Sequence, residues 1–223
     1  MNFLHEPVDL GYDDLIAITK DSGRVYIDPN NNTYPSITTV LSILSEDAIK
    51  AWRAKVGEEE ANRISKTASN RGTAVHDLLE RYVNNESDFD KEVEPHIMQS
   101  FYDVKPVLDK CLTKVYAQEA GLYSERLGVA GRVDCVGEWN GIDSIIDYKT
   151  SKKLKKKEWI DSYFMQSTAY AIMWEERTGI PINQIVVVIA VDNEEPQIFI
   201  EKRENWTEKL IQTIAEYKSR KNI

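Results

Sequence analysis

"GRVDCVGEWNGIDSIIDYKTSKK", residues 131–153, is the stretch on which the fold turns. Asn140-Gly141 between two apolar runs signals a two-residue hairpin, because a type I′ turn needs positive φ at both central positions. Counting outward from that turn sets Trp139 opposite Ile142, and Asp134 directly opposite Asp147. Residues opposed in this way have Cβ atoms roughly 4.5–5.5 Å apart, and like charges there repel. Strand alternation places Lys149 on the face of Asp147 and Tyr148 on the other. Two carboxylates and an ammonium therefore converge on one patch, and something positive must offset the acid pair. A hard divalent cation with oxygen ligands is the natural candidate. A longer loop that includes Asp143 would shift the register but keep the acids near each other. The plainer alternative is that Lys149 merely neutralises Asp147 on a solvated face. Val133, Ile145 and Ile146 count against it, because they bury the hairpin.

Downstream, a helix is predicted over about 157–177, stopped by Gly179 ahead of Pro181. "QIVVVIAV" (184–191) is a continuous apolar run and reads as a strand buried on both faces. "PQIFIEK" (196–202) alternates like an edge strand, and a final helix follows with Asn205 as its expected N-cap. Upstream, a strand at 113–119 follows a helix over about 94–110 and a polar connection at 84–94. Residues 46–83 are mostly helical and end in "RGTAVHDLLERYV", where Val75, Leu78, Leu79, Tyr82 and Val83 form one stripe. Residues 23–34 read as a hairpin turning at "DPNNN", and "PSITTVLSIL" carries a Ser/Thr cluster fit to cap a short helix. Helix, three strands, helix, strand predicts an α/β fold with a mixed sheet flanked by helices. One domain over 1–223 is expected, with a hairpin-and-helix extension at 1–70 ahead of a core at 71–223.

The 223 residues are 42% apolar and 29% charged, an ordinary globular balance. No run of about eighteen apolar residues exists, so no membrane span is expected. "MNFLHEPVDLGYDD" resembles neither a secretory signal nor a transit peptide, and the expected compartment is the cytoplasm, bacterial or phage-infected. Cys111 and Cys135 lack metal-site spacing and read as small buried hydrophobes. A net charge of −9 argues against a surface that clamps nucleic acid throughout. Charge is uneven, however: "KTSKKLKKK" (149–157) holds six lysines, which can steer a phosphate chain or simply form a solvated face.

Two further groups can join the acids. His76 and Glu80 share one side of their helix, and His76 lies at the border of the apolar stripe, where a neutral imidazole can ligate metal. Gln166 and Tyr170 sit one turn apart after the lysine run, able to grip a phosphate or orient a lysine. No GxxxxGK[ST] loop, HExxH or serine elbow occurs.

Together "RGTAVHDLLE", "GRVD", "DYKTSKK" and "QSTAY" resemble the PD-(D/E)XK nuclease superfamily in its RecB-like branch. "YPSITTVLS" and "KVGEEEANRISKTASNRGTAVH" are similar to the phage and mitochondrial genome maintenance exonucleases of that branch. The resemblance covers about residues 34–171 and implies a restriction-endonuclease-like αβββαβ core. It implies that His76, Asp134, Asp147 and the main-chain carbonyl of Tyr148 bind Mg²⁺ or Mn²⁺. Lys149 would orient or deprotonate the attacking water, with Gln166 and Tyr170 supporting it and the scissile phosphate. Glu119 matches an acidic position ahead of "GxxD". Ser36, Thr38 and Arg71 would contact DNA from an N-terminal arch, and Lys152 and Lys153 would guide the strand. No proline precedes Asp134, a departure from the name-giving motif, and no iron–sulfur cysteines are present. The implied activity is a metal-dependent DNA exonuclease acting on single strands or ends in replication, recombination or repair, in company with proteins of those processes. The alternatives are a structure-specific or restriction-type endonuclease, or a catalytically idle DNA-binding recombination partner.

Overall fold

The computed structural model describes residues 2–222. Two short strands, β1 (Leu4–His5) and β2 (Ile16–Lys20), precede β3 (Gly23–Ile27) and β4 (Thr33–Pro35). Next come α1 (Ile37–Leu41), α2 (Glu46–Val56), α3 (Glu58–Val83) and α4 (Pro95–Cys111). The core then runs β5 (Leu112–Ser124), β6 (Val129–Trp139), β7 (Ile142–Ser151), α5 (Asp161–Thr178), β8 (Gln184–Val191), β9 (Gln197–Lys202) and α6 (Glu204–Lys221). The element order from α4 to β8 is the predicted helix, three strands, helix, strand.

The main sheet is six-stranded, in the order β1-β5-β6-β7-β8-β9, with β1–β5 and β7–β8 parallel and the rest antiparallel. One face packs on α1, α5 and α6 through residues such as Val136, Ile145, Val187, Phe164 and Leu210. The other packs on α3 and α4 through Cys135, Ile146, Val186, Leu78 and Phe101. Because helices cover both faces, β8 needs no polar side, and seven of its eight residues are buried. β9 forms the sheet edge and alternates half-buried with exposed, as its sequence requires.

Several boundaries differ from expectation. The helical stretch 46–83 breaks at Gly57, whose φ of 89° lies outside the helical region and lets the chain turn between α2 and α3. The strand expected at 113–119 extends to Ser124, because pairing with β6 continues to Ser124–Val129. Residues 157–159 form a separate 3₁₀ turn ahead of α5. Asn205 is not the N-cap of α6: the cap position is Arg203, and the Asn205 amide donates to Glu201 Oε2 at 3.2 Å. β2 escaped prediction because all five of its residues are exposed, leaving no buried-face alternation to read.

Candidate active site

The hairpin register follows the turn arithmetic from Trp139–Ile142 to Cys135–Ile146, with Asn140 and Gly141 at φ 52° and 80°. At the next step the ladder stops. The Tyr148 N–H, freed from β6 backbone, donates to the Asp134 carboxylate at 2.8 Å. The two strands therefore part where the acids face each other, and the carboxylate of Asp134 fills the gap. On its other side, β5 shows a matching irregularity. Gln118 pairs with Cys135 and Ala120 with Val133, so Glu119 stands across from Asp134, and its backbone takes a φ of 44°. Val133 packs with the α5 layer while Cys135 packs with the α3–α4 layer, so side-chain alternation slips at Asp134. That slip is what turns Asp134 toward the open cleft rather than into a core.

Three acids thus line up across adjacent strands: Glu119, Asp134 and Asp147. From α3, His76 reaches Asp134 Oδ2 with its Nδ1 at 3.6 Å. Ligand atoms of His76, Glu119 and Asp134 all lie within 4.8 Å of one another. The sequence reading placed Asp147 beside His76 and Asp134 and left the role of Glu119 open; the structure puts Glu119 in the compact trio. Asp147 lies deeper, 1% exposed, with the Lys149 ammonium 2.5 Å from its Oδ2. Neither oxygen of Asp147 otherwise has a hydrogen-bond partner among the described residues. As predicted, Lys149 shares the face of Asp147, and its Nζ sits 5.2 Å from the centre of the Tyr163 ring.

The electrostatics follow from burial and proximity. Burial, then the charge of Asp134, pushes Glu119 up to about 7. Asp147 is also raised, by burial and then Asp134, although Lys149 pulls it down. Burial lowers the pKa of Lys149, but Asp147 and Asp134 outweigh it and the net shift is upward. Lys149 is therefore a protonated donor at neutral pH. Tyr170 stays protonated as well, raised by burial and by Asp134.

An acid whose folded pKa exceeds its unfolded value costs stability on ionising. For Glu119, with an ordinary value of 4.5 and a folded value of about 7, stability falls as pH rises through that window and levels off above it. The metal-free protein is expected to melt lower at pH 8 than at pH 5.5. Glu119→Gln should shrink that drop by a few degrees, measured by thermal denaturation in chelator.

Gln166 Nε2 donates to the Tyr170 hydroxyl at 3.2 Å, so the predicted pair forms, with both residues buried on α5. Tyr170 lies over Gly131, where an added Cβ would stand 2.7 Å from Tyr170 Cε1. The glycine of "GRVD" is therefore a seat for the tyrosine ring. Gly131→Ala is expected to displace Tyr170 and cost about 1–3 kcal/mol as an overpacked site, read as a lower urea midpoint.

His76, Glu119, Asp134, Gln166 and Tyr170 line one cleft of about 520 Å³, together with Ser36 and Thr38. Ser36 caps α1, accepting from the Thr39 N–H at 3.0 Å, and is itself buried, whereas Thr38 is exposed. Arg71 lies elsewhere. It pairs with Asp192, donates to Ser100 Oγ at 3.1 Å, and lines a neighbouring cavity of about 590 Å³ with Lys152. Lys152 and Lys153 are exposed just beyond β7. Arg132 is an anchoring residue that sequence reasoning missed. Its guanidinium donates to the Glu119 main-chain carbonyl and lies 2.6 Å from Asp14, pinning β5 at its irregular residue. No local motif signals it, because Asp14 is distant in sequence.

Among the described residues no helix is long and apolar enough to cross a membrane. The chain is 29% identical over 147 residues to the human mitochondrial genome maintenance exonuclease 1, covering 61% of this chain and 40% of that relative's length. A crystal structure from Eubacterium rectale, named as a candidate exonuclease, aligns over 68% of both chains at 14% identity and a TM-score of 0.47. The family model of the PD-(D/E)XK nuclease superfamily matches residues 48–222, which hold the His76–Glu119–Asp134 trio, the Asp147–Lys149 pair and the Gln166–Tyr170 pair. The chain belongs to the PD-(D/E)XK nuclease superfamily.

Proposed function

We propose that this chain is a divalent-metal-dependent DNA exonuclease that hydrolyses phosphodiester bonds from single-stranded ends. The observation that carries the reading is the His76–Glu119–Asp134 trio with a protonated lysine held on Asp147 behind it. The carboxylates of Glu119 and Asp134, hard oxygen donors, and the borderline imidazole of His76 offer ligand atoms within 4.8 Å of one another. The two Asp147 oxygens are buried, with Lys149 as their sole polar partner among the described residues. Such donors fit Mg²⁺ or Mn²⁺. His76, Asp134 and Glu119 would hold the ion, with Asp147 and the Tyr148 main-chain carbonyl completing the set. When bound, the ion supplies Lewis-acid charge at the phosphate and makes water nucleophilic near neutral pH.

The chain's own groups do the rest. Lys149, kept protonated by Asp147 and Asp134, orients the attacking water and places positive charge where negative charge develops on the phosphate. Deprotonation of water by Lys149 is disfavoured by the same pair of acids. Gln166 holds the Tyr170 hydroxyl, which stays protonated and so is a donor for a phosphate oxygen. Thr38 stands at the cleft wall within reach of a strand, and Lys152 and Lys153 guide the strand by phosphate contacts. Arg71 contacts DNA only if the strand passes the second cavity, since Asp192 already neutralises it.

End-labelled single- and double-stranded DNA, linear and circular, tests this reading with Mg²⁺, Mn²⁺ or chelator. Linear single strands are expected to be lost from the end, circular ones to survive, and chelator to stop the reaction. Nicking of closed circles would instead make the protein an endonuclease.

A further inference from the structure

We propose that the loop after β7, residues 152–159, is a stacking platform that holds single-stranded DNA against the cleft, with the indole of Trp159 as the base-binding surface. The inference rests on the nuclease reading and names a substrate contact that the catalytic residues do not provide. Trp159 is 63% exposed, whereas Trp139 and Trp174 are each 1% exposed. Beside it Leu154 is 50% exposed, and the Lys156 ammonium lies 5.1 Å from the Trp159 ring centre. An exposed indole beside an exposed leucine is a surface that a partner can cover.

Charge complementarity says what does. The segment "KKLKKKEW" carries five lysines and one glutamate on a chain of net −9. Among the described residues, Lys157 is paired with Glu201, and Lys156 reaches Glu158 at 3.9 Å. Lys152 and Lys153 are exposed and make no ion pair among those residues. Lysines interleaved with an exposed indole suit a phosphate chain whose bases are unstacked, because every base offers a π-face to an indole. A duplex would keep its bases stacked and could not use the ring.

The platform is also pre-shaped. Gln197 clamps the Lys155 backbone from both sides, accepting from its N–H at 2.7 Å and donating to its carbonyl at 3.0 Å. The Ser151 hydroxyl donates to the Lys153 carbonyl at 2.6 Å. The loop joins two elements that carry residues of the site. It leaves β7 three residues after Lys149, and the first turn of α5 carries Tyr163, whose ring faces the Lys149 ammonium. Little ordering is left to be done on binding, which favours affinity.

Fluorescence anisotropy of labelled dT15 tests the platform with the full chain in an Asp134→Asn background, where the strand survives. Trp159→Ala is expected to weaken binding about 10-fold, and Trp159→Phe, which keeps an aromatic face, to restore most of it. Lys152→Ala with Lys153→Ala should flatten the salt slope by roughly 1.4, about 0.7 per lost phosphate contact. With Asp134 intact, Trp159→Ala should raise KM for the oligonucleotide more than it lowers kcat. Unchanged dT15 affinity in Trp159→Ala overturns the proposal. So does Trp159-dependent binding to phosphatidylserine vesicles with none to dT15. If the parent chain degrades DNA and Trp159→Ala binds and degrades like it, the platform alone fails. If the parent hydrolyses no DNA while Trp159 still governs dT15 binding, the nuclease reading alone fails.

Discussion

Asp134→Asn is expected to lower phosphodiester hydrolysis by about 10³-fold while raising the melting temperature of the metal-free protein. Both effects come from the position of one carboxylate between two others. Asp134 belongs to the trio with His76 and Glu119, so its loss removes an anionic donor from the proposed ion site. Its charge also helps to raise the pKa values of Glu119 and Asp147. Neutralising it relieves both acids while withdrawing support from the Lys149 ammonium, for an expected net gain of at most about 1 kcal/mol or some 2–4 °C for a chain of this size. Asparagine keeps an oxygen to accept the Tyr148 N–H, so the hairpin mouth need not collapse. Melting curves with and without Mg²⁺ add a second readout. A ligand that binds only the native state stabilises it in proportion to the logarithm of its concentration. The wild-type chain should gain stability with Mg²⁺, and the asparagine variant should gain far less. Hydrolysis that survives this change would remove Asp134 from the site.

Lys149→Ala is the second change with a large expected effect, about 10²–10³-fold in kcat, but with the opposite sign on stability. The ammonium is the charged partner of a carboxylate that is 1% exposed. Removing it leaves Asp147 buried, unpaired and beside Asp134, a class of change that typically costs about 3–5 kcal/mol. Asp147 can escape part of this by taking up a proton, so the loss should be smaller at pH 5 than at pH 8. Lys149→Arg would keep the charge but put a planar fork where a compact ammonium fits, and is expected to recover stability better than rate. Urea denaturation at two pH values and single-turnover hydrolysis separate the two effects. Equal activity in Lys149→Ala would mean that the lysine only neutralises Asp147.

The hairpin was legible because its information is local. Asn140-Gly141 admits few turn types, and the turn fixes the register of everything beside it until the strands part. The continuous apolar run at 184–191 was legible for a similar reason, since burial on both faces leaves no polar position. Glu119 was harder. Its place opposite Asp134 depends on the β5–β6 register, which includes shifts between Leu112 and Lys114 and between Val115 and Ala117 that no turn sequence announces.

By itself, the sequence determined the order of the elements from α4 to β8, the hairpin that brings Asp134 and Asp147 near each other, and the shared face of Asp147 and Lys149, because periods of two and 3.6 residues act within one strand or helix. Only the tertiary structure decided which groups gather from separate elements. It drew Glu119 into the trio by a local slip in side-chain alternation, set Asp147 deep with Lys149 as its counter-charge, and tied Arg71 to Asp192 away from the cleft. Those outcomes depend on how α3 and β5 pack against the hairpin. Long-range packing of that kind is fixed by the fit of whole surfaces, and no window of neighbouring residues carries it.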